Sequence, residues 1–157
     1  MVTQAEASTI AGATFGPGKE ELTNGGKICV YGSQTTNVFT VLVAQSDPKL
    51  AAAEFDQELA VAEAKVESAL PAGVSVPLGV QDLDASSSNS SGASTAIGDK
   101  AVGLVGSETV VGRSIYFTGI YVLSGGTFVL IGDLVLGHAS PPLTAMEDEA
   151  RTALSRT

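Results

Sequence analysis

Basic side chains, aromatic rings and cysteine are all scarce in this sequence. Lys and Arg number only 8 against 17 Asp and Glu, which gives the chain a net charge of −9. So acidic a surface repels the phosphate backbone, and nucleic acid is therefore not an expected partner. Aromatic residues make up 5% and Trp is absent, so the sequence predicts an aliphatic core without an aromatic cage or a Trp-lined sugar cleft.

Long apolar runs are also missing. The longest, "TFVLIGDLVLG", is interrupted by Asp133 and falls short of the roughly 18 residues that a transmembrane helix needs. Met1 leads directly into "VTQAEAS", which has no signal-peptide pattern. Two interpretations follow: a cytoplasmic protein, or an exported one whose signal preceded Met1 and has been removed.

The chain holds one cysteine, Cys29, and one histidine, His138. A single cysteine fits a reducing compartment and also fits many exported bacterial proteins. A catalytic cysteine needs a neighbouring His, Lys or helix N-terminus, and nothing local ties His138 to Cys29. We therefore predict a buried strand thiol at Cys29 and an exposed loop residue, or a partner for the nearby helix cap, at His138. A zinc site needs three or four ligands, and no cluster supplies them. The sequence predicts no metal, no cofactor and no catalytic residue.

Three segments carry helix signals. The predicted helices are residues 4–11, a long amphipathic one ended by Pro71 and Gly73, and a final one with an inner face of Leu143, Met146, Ala150 and Leu154. The start signals are, in chain order, the capping box of Thr3 and Glu6, Asp47 with Pro48, and Ser140 as the cap before Pro141 and Pro142.

Strand signals fill most of the remaining chain. Predicted strands are residues 27–32, 38–45, 74–80 as an edge strand with Pro77, 101–105, 114–123 and 127–136, with Gly125-Gly126 as the turn of a hairpin. "FGPGKEELTNGG" is predicted as a loop that reverses at Asn24-Gly25. The polar, small-residue segment 85–95 is predicted to be a mobile loop.

This order of elements predicts a single α+β domain over residues 1–157, with an antiparallel sheet and helices packed on one face. The two halves, 1–73 and 74–157, each contain a strand–strand–helix run, which suggests a duplication that sets Phe39 opposite Phe128. The alternative is two unrelated ββα units within one domain.

Phosphate and calcium motifs are incomplete. Gly98 and Gly103 have phosphate-loop spacing, but Leu104-Val105 stand where the Lys-Ser/Thr pair is needed. Asp82 and Asp84 resemble the start of a calcium loop that lacks its Gly and Glu, so a solvated acidic turn is the favoured interpretation.

Short motifs across most of the chain resemble the small exported lipoprotein domains of actinobacteria and related bacteria. The stretches are "VTQAEASTIAG", "KICVYG", "DPKLAAAEF" and "IGDKAVG", and the matching positions are Thr3, Glu6, Gly12, Cys29, Tyr31, Phe55, Gly98, Asp99 and Ala101. The resemblance implies a cell-envelope location, a possible lipid anchor upstream of Met1 and no established activity. In many such proteins the cysteine of the Cys-x-Tyr strand is paired near the mature N-terminus, and this chain has no second cysteine.

Three functional hypotheses follow. The favoured one is a non-catalytic extracytoplasmic domain that binds a protein, an envelope component or a small apolar ligand. The second is a hydrolase that uses two of the carboxylates of Asp99, Asp133 and Glu147, held roughly 5–10 Å apart. The third is a structural or oligomerising module, which would show a large exposed apolar patch.

Overall fold

The computed structural model describes residues 1–23, 26–33, 37–69, 76–83, 97–110, 112–137 and 139–157. In this part of the chain seven strands and three helices are found. They are α1 (Gln4–Ala11), β1 (Lys19–Thr23), β2 (Gly26–Ser33), β3 (Asn37–Gln45), α2 (Pro48–Ala69), β4 (Leu78–Asp82), β5 (Lys100–Val110), β6 (Arg113–Ser124), β7 (Thr127–Leu136) and α3 (Leu143–Leu154).

The strands form one antiparallel sheet in the order β1-β2-β3-β7-β6-β5-β4. Consecutive strands pair within the runs β1–β3 and β4–β7, and the long-range pairing of β3 with β7 joins the two runs at the centre of the sheet. The predicted α+β class with an antiparallel sheet is confirmed. The strand that follows Pro77 is an edge strand, as predicted, and spans Leu78–Asp82.

Helices cover both faces of the sheet. On one face, α1 and α3 pack with the alternate residues Val129 and Ile131 of β7 in a single buried cluster. On the other, Ala51 and Phe55 of α2 pack on Phe128 and Leu130 of the same strand. The prediction that the helices share one face therefore holds for α1 and α3 and is corrected for α2. The physical reason is that β6 and β7 are apolar on both faces, so each face needs a cover.

The α2 face is held by aromatic packing. The ring of Phe55 lies 5.0 Å from that of Tyr121 and 6.5 Å from that of Phe128, measured between centroids. Further along, the ring of Phe117 lies over Gly119 and Gly132, which are paired across β6 and β7. A large ring thus fills the space that two glycines leave on the sheet.

Some predicted boundaries need correction. The segment predicted as a loop before Asn24 contains β1, which pairs with β2 from Lys19 to Thr23. Ser140 does not cap α3, because the helix begins after Pro142 without a side-chain cap. Within α2, Leu50 is 54% exposed and the next residue, Ala51, is buried. The predictions for Asn24-Gly25, Pro71, Gly73, Asp84, the segment 85–95 and His138 lie outside the described residues.

The runs β1-β2-β3 and β5-β6-β7 both proceed toward the centre of the sheet, with β4 outside β5 at the second edge. Their helices α2 and α3 lie on opposite faces, so Phe39 faces α1 and α3 whereas Phe128 faces α2. The duplication stays a prediction.

Candidate functional site

An open depression lies on β5 and β6, beside the chain segment that precedes α3. Its volume is about 510 Å³. The lining combines apolar groups with hydroxyl groups, and includes Pro77, Val105, Ser107, Tyr116, Thr118 and Ser140. Val105 pairs with Thr118 and Ser107 with Tyr116, so these four form two adjacent rows on the α1/α3 face of the sheet. The site is therefore built mainly on strands, which are rigid supports.

A buried polar cluster, which we define as Asn37, Thr118 and Asp133, continues from this depression toward the centre of the sheet. Thr118 is paired with Asp133 across β6 and β7. On the other side of β7, Phe39 pairs with Asp133 and Val135 with Asn37, which makes Asn37 a diagonal neighbour of Asp133. All three cluster residues alternate with side chains that face α2, so they share the α1/α3 face.

Asp133 is fully buried, with no exposed surface. Neither carboxyl oxygen has a hydrogen-bond partner among the residues that the structure describes. Burial in apolar surroundings disfavours the charged form, and it raises the pKa of Asp133 from the ordinary 3.8 to about 7. The group therefore exchanges its proton near neutral pH.

The neighbouring polar groups are similarly unmatched. Asn37 is 5% exposed, and both its amide nitrogen and its amide oxygen lack a partner within the described ranges. The same holds for Oγ of Ser140, which lies in the lining of the depression. A buried polar group left without a partner costs about 1–3 kcal/mol, so several of them close together are unusual in a core of this size.

The three carboxylates of the hydrolase hypothesis occupy different places. Oδ2 of Asp99 accepts a hydrogen bond from the backbone N–H of Gly125 at 2.7 Å, at the turn between β6 and β7. Asp133 lies six residues beyond Thr127, and the rise of an antiparallel strand places it roughly 20 Å from that turn. Glu147 lies on α3, where its Oε2 is 3.9 Å from Nη2 of Arg151. Asp99 and Asp133 therefore do not form a catalytic pair of the predicted spacing.

Cys29 is buried, 3% exposed, as the sequence predicts, and its side chain packs in the same cluster as Ala7 and Ala11 of α1. Tyr31 beside it donates a hydrogen bond to the carbonyl of Val2 at 2.6 Å. Burial, and secondarily a hydrogen bond with Cys29, raises the pKa of Tyr31. A Cβ on Gly18 would lie 2.7 Å from the sulfur of Cys29, so the chain entering β1 packs tightly over the thiol. This arrangement describes a core residue.

The other positions of the resemblance have local structural roles. Thr3 and Glu6 form the capping box of α1, and Gly12 ends that helix in the left-handed conformation. Phe55 packs in the aromatic cluster and lies 4.4 Å from Nζ of Lys100. Gly98 has φ +72° and approaches the backbone of Leu123.

Sequence reasoning identified Asp133 as a candidate acid and missed Asn37, Thr118, Tyr116 and Ser140 as its surroundings. The available signal was the interruption of two apolar strands, "YFTGIYV" and "LIGDLVL", by a polar residue in each. No group of three His, Cys, Asp or Glu side chains able to hold a metal is found in the described residues. Among those residues, too, no helix has the length and hydropathy needed to span a membrane.

Comparison of the chain with protein-family models, with curated proteins and with solved structures finds no match.

Proposed function

We propose that this chain is a non-catalytic binding domain of the cell envelope, and that its ligand is a small molecule or an extended chain segment bound in the depression beside Ser107 and Tyr116. The supporting observation is the depression itself, with its mixed lining of hydroxyl and apolar groups. Ligand sites in proteins combine an apolar wall with a few placed polar groups in this way. The envelope location rests on the sequence resemblance alone.

The location of the depression suits binding. It opens at one end of the sheet, beside strands that are long and well paired, so its walls are preorganised. Val105 and the ring of Tyr116 offer an apolar surface, and Ser107, Thr118 and Ser140 offer hydroxyl groups. A ligand with a small apolar body and one hydrogen-bonding group matches this surface.

Large apolar side chains exposed elsewhere in the described chain do not suggest a stronger candidate. Leu22 lies on β1 and Val80 on β4, at opposite edges of the sheet, while Leu50 and Val61 lie on α2. Single apolar side chains spread over several elements are normal for a protein surface.

The test is a titration of the full chain with benzyl alcohol, followed by amide chemical shifts. We expect the shifts to concentrate at Ser107, Tyr116, Thr118 and Ser140. The variant Ser107→Trp should fill the depression and abolish these shifts. Gln45→Trp is its control, because Gln45 is an exposed strand residue at the opposite end of the sheet. Shifts that are absent, or that concentrate on α2 or β4 instead, would refute the proposal.

A further inference from the structure

The polar cluster of Asn37, Thr118 and Asp133 is not needed to build this sheet. On the α2 face, the adjoining positions of β7 carry Gly132 and Leu134, which pack with Phe117 without any polar atom. On the α1/α3 face, the chain instead buries a carboxyl group and an amide whose hydrogen-bonding atoms are unmatched within the described residues. A structural role alone gives no reason for that choice, because apolar residues of similar volume would pack at lower cost.

Thr118 connects this cluster to the depression. It lines the depression, and it is also the direct cross-strand neighbour of Asp133. Directly paired residues have Cβ atoms about 4.5–5.5 Å apart. A ligand group that reaches the hydroxyl of Thr118 therefore comes within one residue spacing of the Asp133 carboxyl.

From this arrangement we propose that the Asp133 carboxyl is the inner end of the binding site, and that it selects ligands carrying a primary ammonium group. The inference rests on the proposed binding function. The ammonium would donate to the hydroxyl of Thr118 at the inner wall of the depression and, once the side chains that cover it move aside, to the buried Asp133 carboxyl next to it, and the apolar body of the ligand would lie against Val105 and Tyr116. A free amine and the amine of a peptide both carry such a group, and the proposal concerns the ammonium that they share.

The supply of hydrogen-bonding atoms favours this ligand class. In the cluster and the lining of the depression, four atoms unmatched within the described residues can accept a hydrogen bond, namely both oxygens of Asp133, the amide oxygen of Asn37 and Oγ of Ser140, against one amide nitrogen, that of Asn37, which only donates. A primary ammonium has three donors and no acceptor, so it complements such a set, whereas a hydroxyl group brings a single donor.

Charge favours the same class. No Lys or Arg is found in the lining of the depression as the structure describes it. Several basic side chains pair with other acids, namely Lys27 with Glu20, Lys100 with Asp56 and Arg156 with Glu6. The net charge of −9 also attracts cations. A bound ammonium would supply the charge partner that Asp133 does not find among the described residues, and such charge-assisted hydrogen bonds are stronger than neutral ones.

Three probes that share a benzyl group separate charge from hydrogen bonding. Benzylamine carries both features, benzyl alcohol lacks the charge, and benzyltrimethylammonium has the charge but no donor. Each is titrated into the full chain, and the amide shifts of Thr118 and Ser140 give the dissociation constant. We expect benzylamine to bind about tenfold tighter than either of the others, which is the usual gain from a hydrogen bond to a charged group.

Variants locate the effect. Asp133→Asn keeps the size of the side chain and should reduce the affinity for benzylamine to that for benzyl alcohol. Asp148→Asn is the matched control, because it makes the same charge change at an exposed position of α3 and should leave all three affinities unchanged. Thr118→Val, which keeps the shape of the residue, should weaken the binding of benzylamine more than the binding of benzyl alcohol. This variant provides the test if Asp133→Asn fails to fold.

The outcomes separate this inference from the proposed function. Equal affinities of the wild-type protein for benzylamine and benzyl alcohol would overturn the inference and leave the binding site standing. Tight benzylamine binding that survives both Asp133→Asn and Thr118→Val would also overturn it. If none of the probes shifts the residues of the depression, both proposals fail.

Discussion

The two faces of the sheet are built from the same strands and differ in what they bury. Along β7, Phe128, Leu130 and Leu134 face α2, while Val129, Ile131, Asp133 and Val135 face α1 and α3. Every other residue of one strand thus contributes to an entirely apolar layer, and the residues between them include a buried acid. The α2 face is a core in which size and shape are matched. The opposite face is a core that contains the polar cluster of Asn37, Thr118 and Asp133, which packing alone does not explain.

This difference separates the features of the protein that serve folding from those that are available for function. On the α2 face each gap is filled by a neighbour, as Phe117 fills the space above Gly119 and Gly132. On the opposite face the polar atoms of Asn37 and Asp133 have no partner among the described residues, and Thr118, the cross-strand neighbour of Asp133, lines a depression. Substitutions on the first face should change stability alone, and those at the cluster should change both stability and binding.

The largest effect is expected from Phe55→Ala on the α2 face. Phe55 is fully buried between Tyr121 and Phe128, and its truncation leaves a cavity that should lower the free energy of unfolding by about 3–5 kcal/mol. Urea denaturation followed by far-UV circular dichroism measures the loss. Phe55→Leu should cost much less, and equal losses for the two variants would show that the aromatic cluster is loosely packed.

The contribution of the opposite face to stability should depend on pH. Because burial raises the pKa of Asp133 from 3.8 to about 7, the folded state binds a proton more tightly than the unfolded state does. Its contribution to stability is therefore fully present below about pH 4 and is lost as pH rises to about 7, by at most about 4 kcal/mol. Chemical denaturation at half-unit steps from pH 4.5 to 8 measures this slope.

Asp133→Asn is the control for that slope, because it removes the titration and keeps the shape. The variant should be more stable than the wild type at pH 8, and the two should converge toward pH 4.5. Burial also raises the pKa of Glu149, so part of the slope should persist in the variant. Glu6 acts in the opposite sense, since its hydrogen bond with Arg156 lowers its pKa to about 2 and its contribution is lost only at lower pH. Parallel curves for both proteins would contradict the account of Asp133.

A smaller effect is expected from Gly119→Ala. The added Cβ would lie 2.9 Å from Cζ of Phe117 and 3.1 Å from the carbonyl oxygen of Ile131, so the ring must move. Overpacking of this kind costs about 1–3 kcal/mol. Gly79→Ala on β4 is the matched control, because its Cβ would meet the carbonyl oxygen of Val105 at 3.5 Å, an ordinary contact. Thermal unfolding of the two variants should rank them in that order, and the reverse order would show that Phe117 does not rest on the glycine pair.

The smallest effect is expected from Tyr31→Phe. The lost hydrogen bond to the carbonyl of Val2 leaves a buried acceptor unmatched, at a cost of about 1 kcal/mol. Tyr116→Phe removes a hydroxyl group at the open depression and keeps the ring that the ligand contacts, so it should leave the stability nearly unchanged. Urea denaturation distinguishes the two, and a larger loss for Tyr116→Phe would mean that the depression is part of the core.

Much of the fold was accessible from the sequence, for identifiable reasons. The capping box of Thr3 and Glu6 and the turn at Gly125-Gly126 are local signals, and they correctly placed α1 and the hairpin of β6 and β7. β1 was missed because its "KEELT" sequence has no apolar alternation, and pairing with β2 alone makes it a strand. The face on which α2 packs depends on long-range contacts, which no local pattern contains.

The candidate site was accessible only in part. Asp133 stood out because it interrupts an apolar run, but its neighbours come from β3, β6 and the chain before α3. Register brings Asn37 and Thr118 beside it, and register depends on the pairing of the whole sheet. Ser140 was predicted to cap α3, and its position in the lining of the depression follows from the later start of that helix at Leu143.

The most direct test of this account is a carbon-13 titration of the Asp133 carboxyl in the full chain, with and without benzylamine. We expect a midpoint near 7 in the free protein and a clearly lower midpoint when benzylamine is bound, because the ammonium stabilises the carboxylate. A midpoint near the ordinary 3.8 in the free protein, or one that benzylamine leaves unchanged, would contradict it.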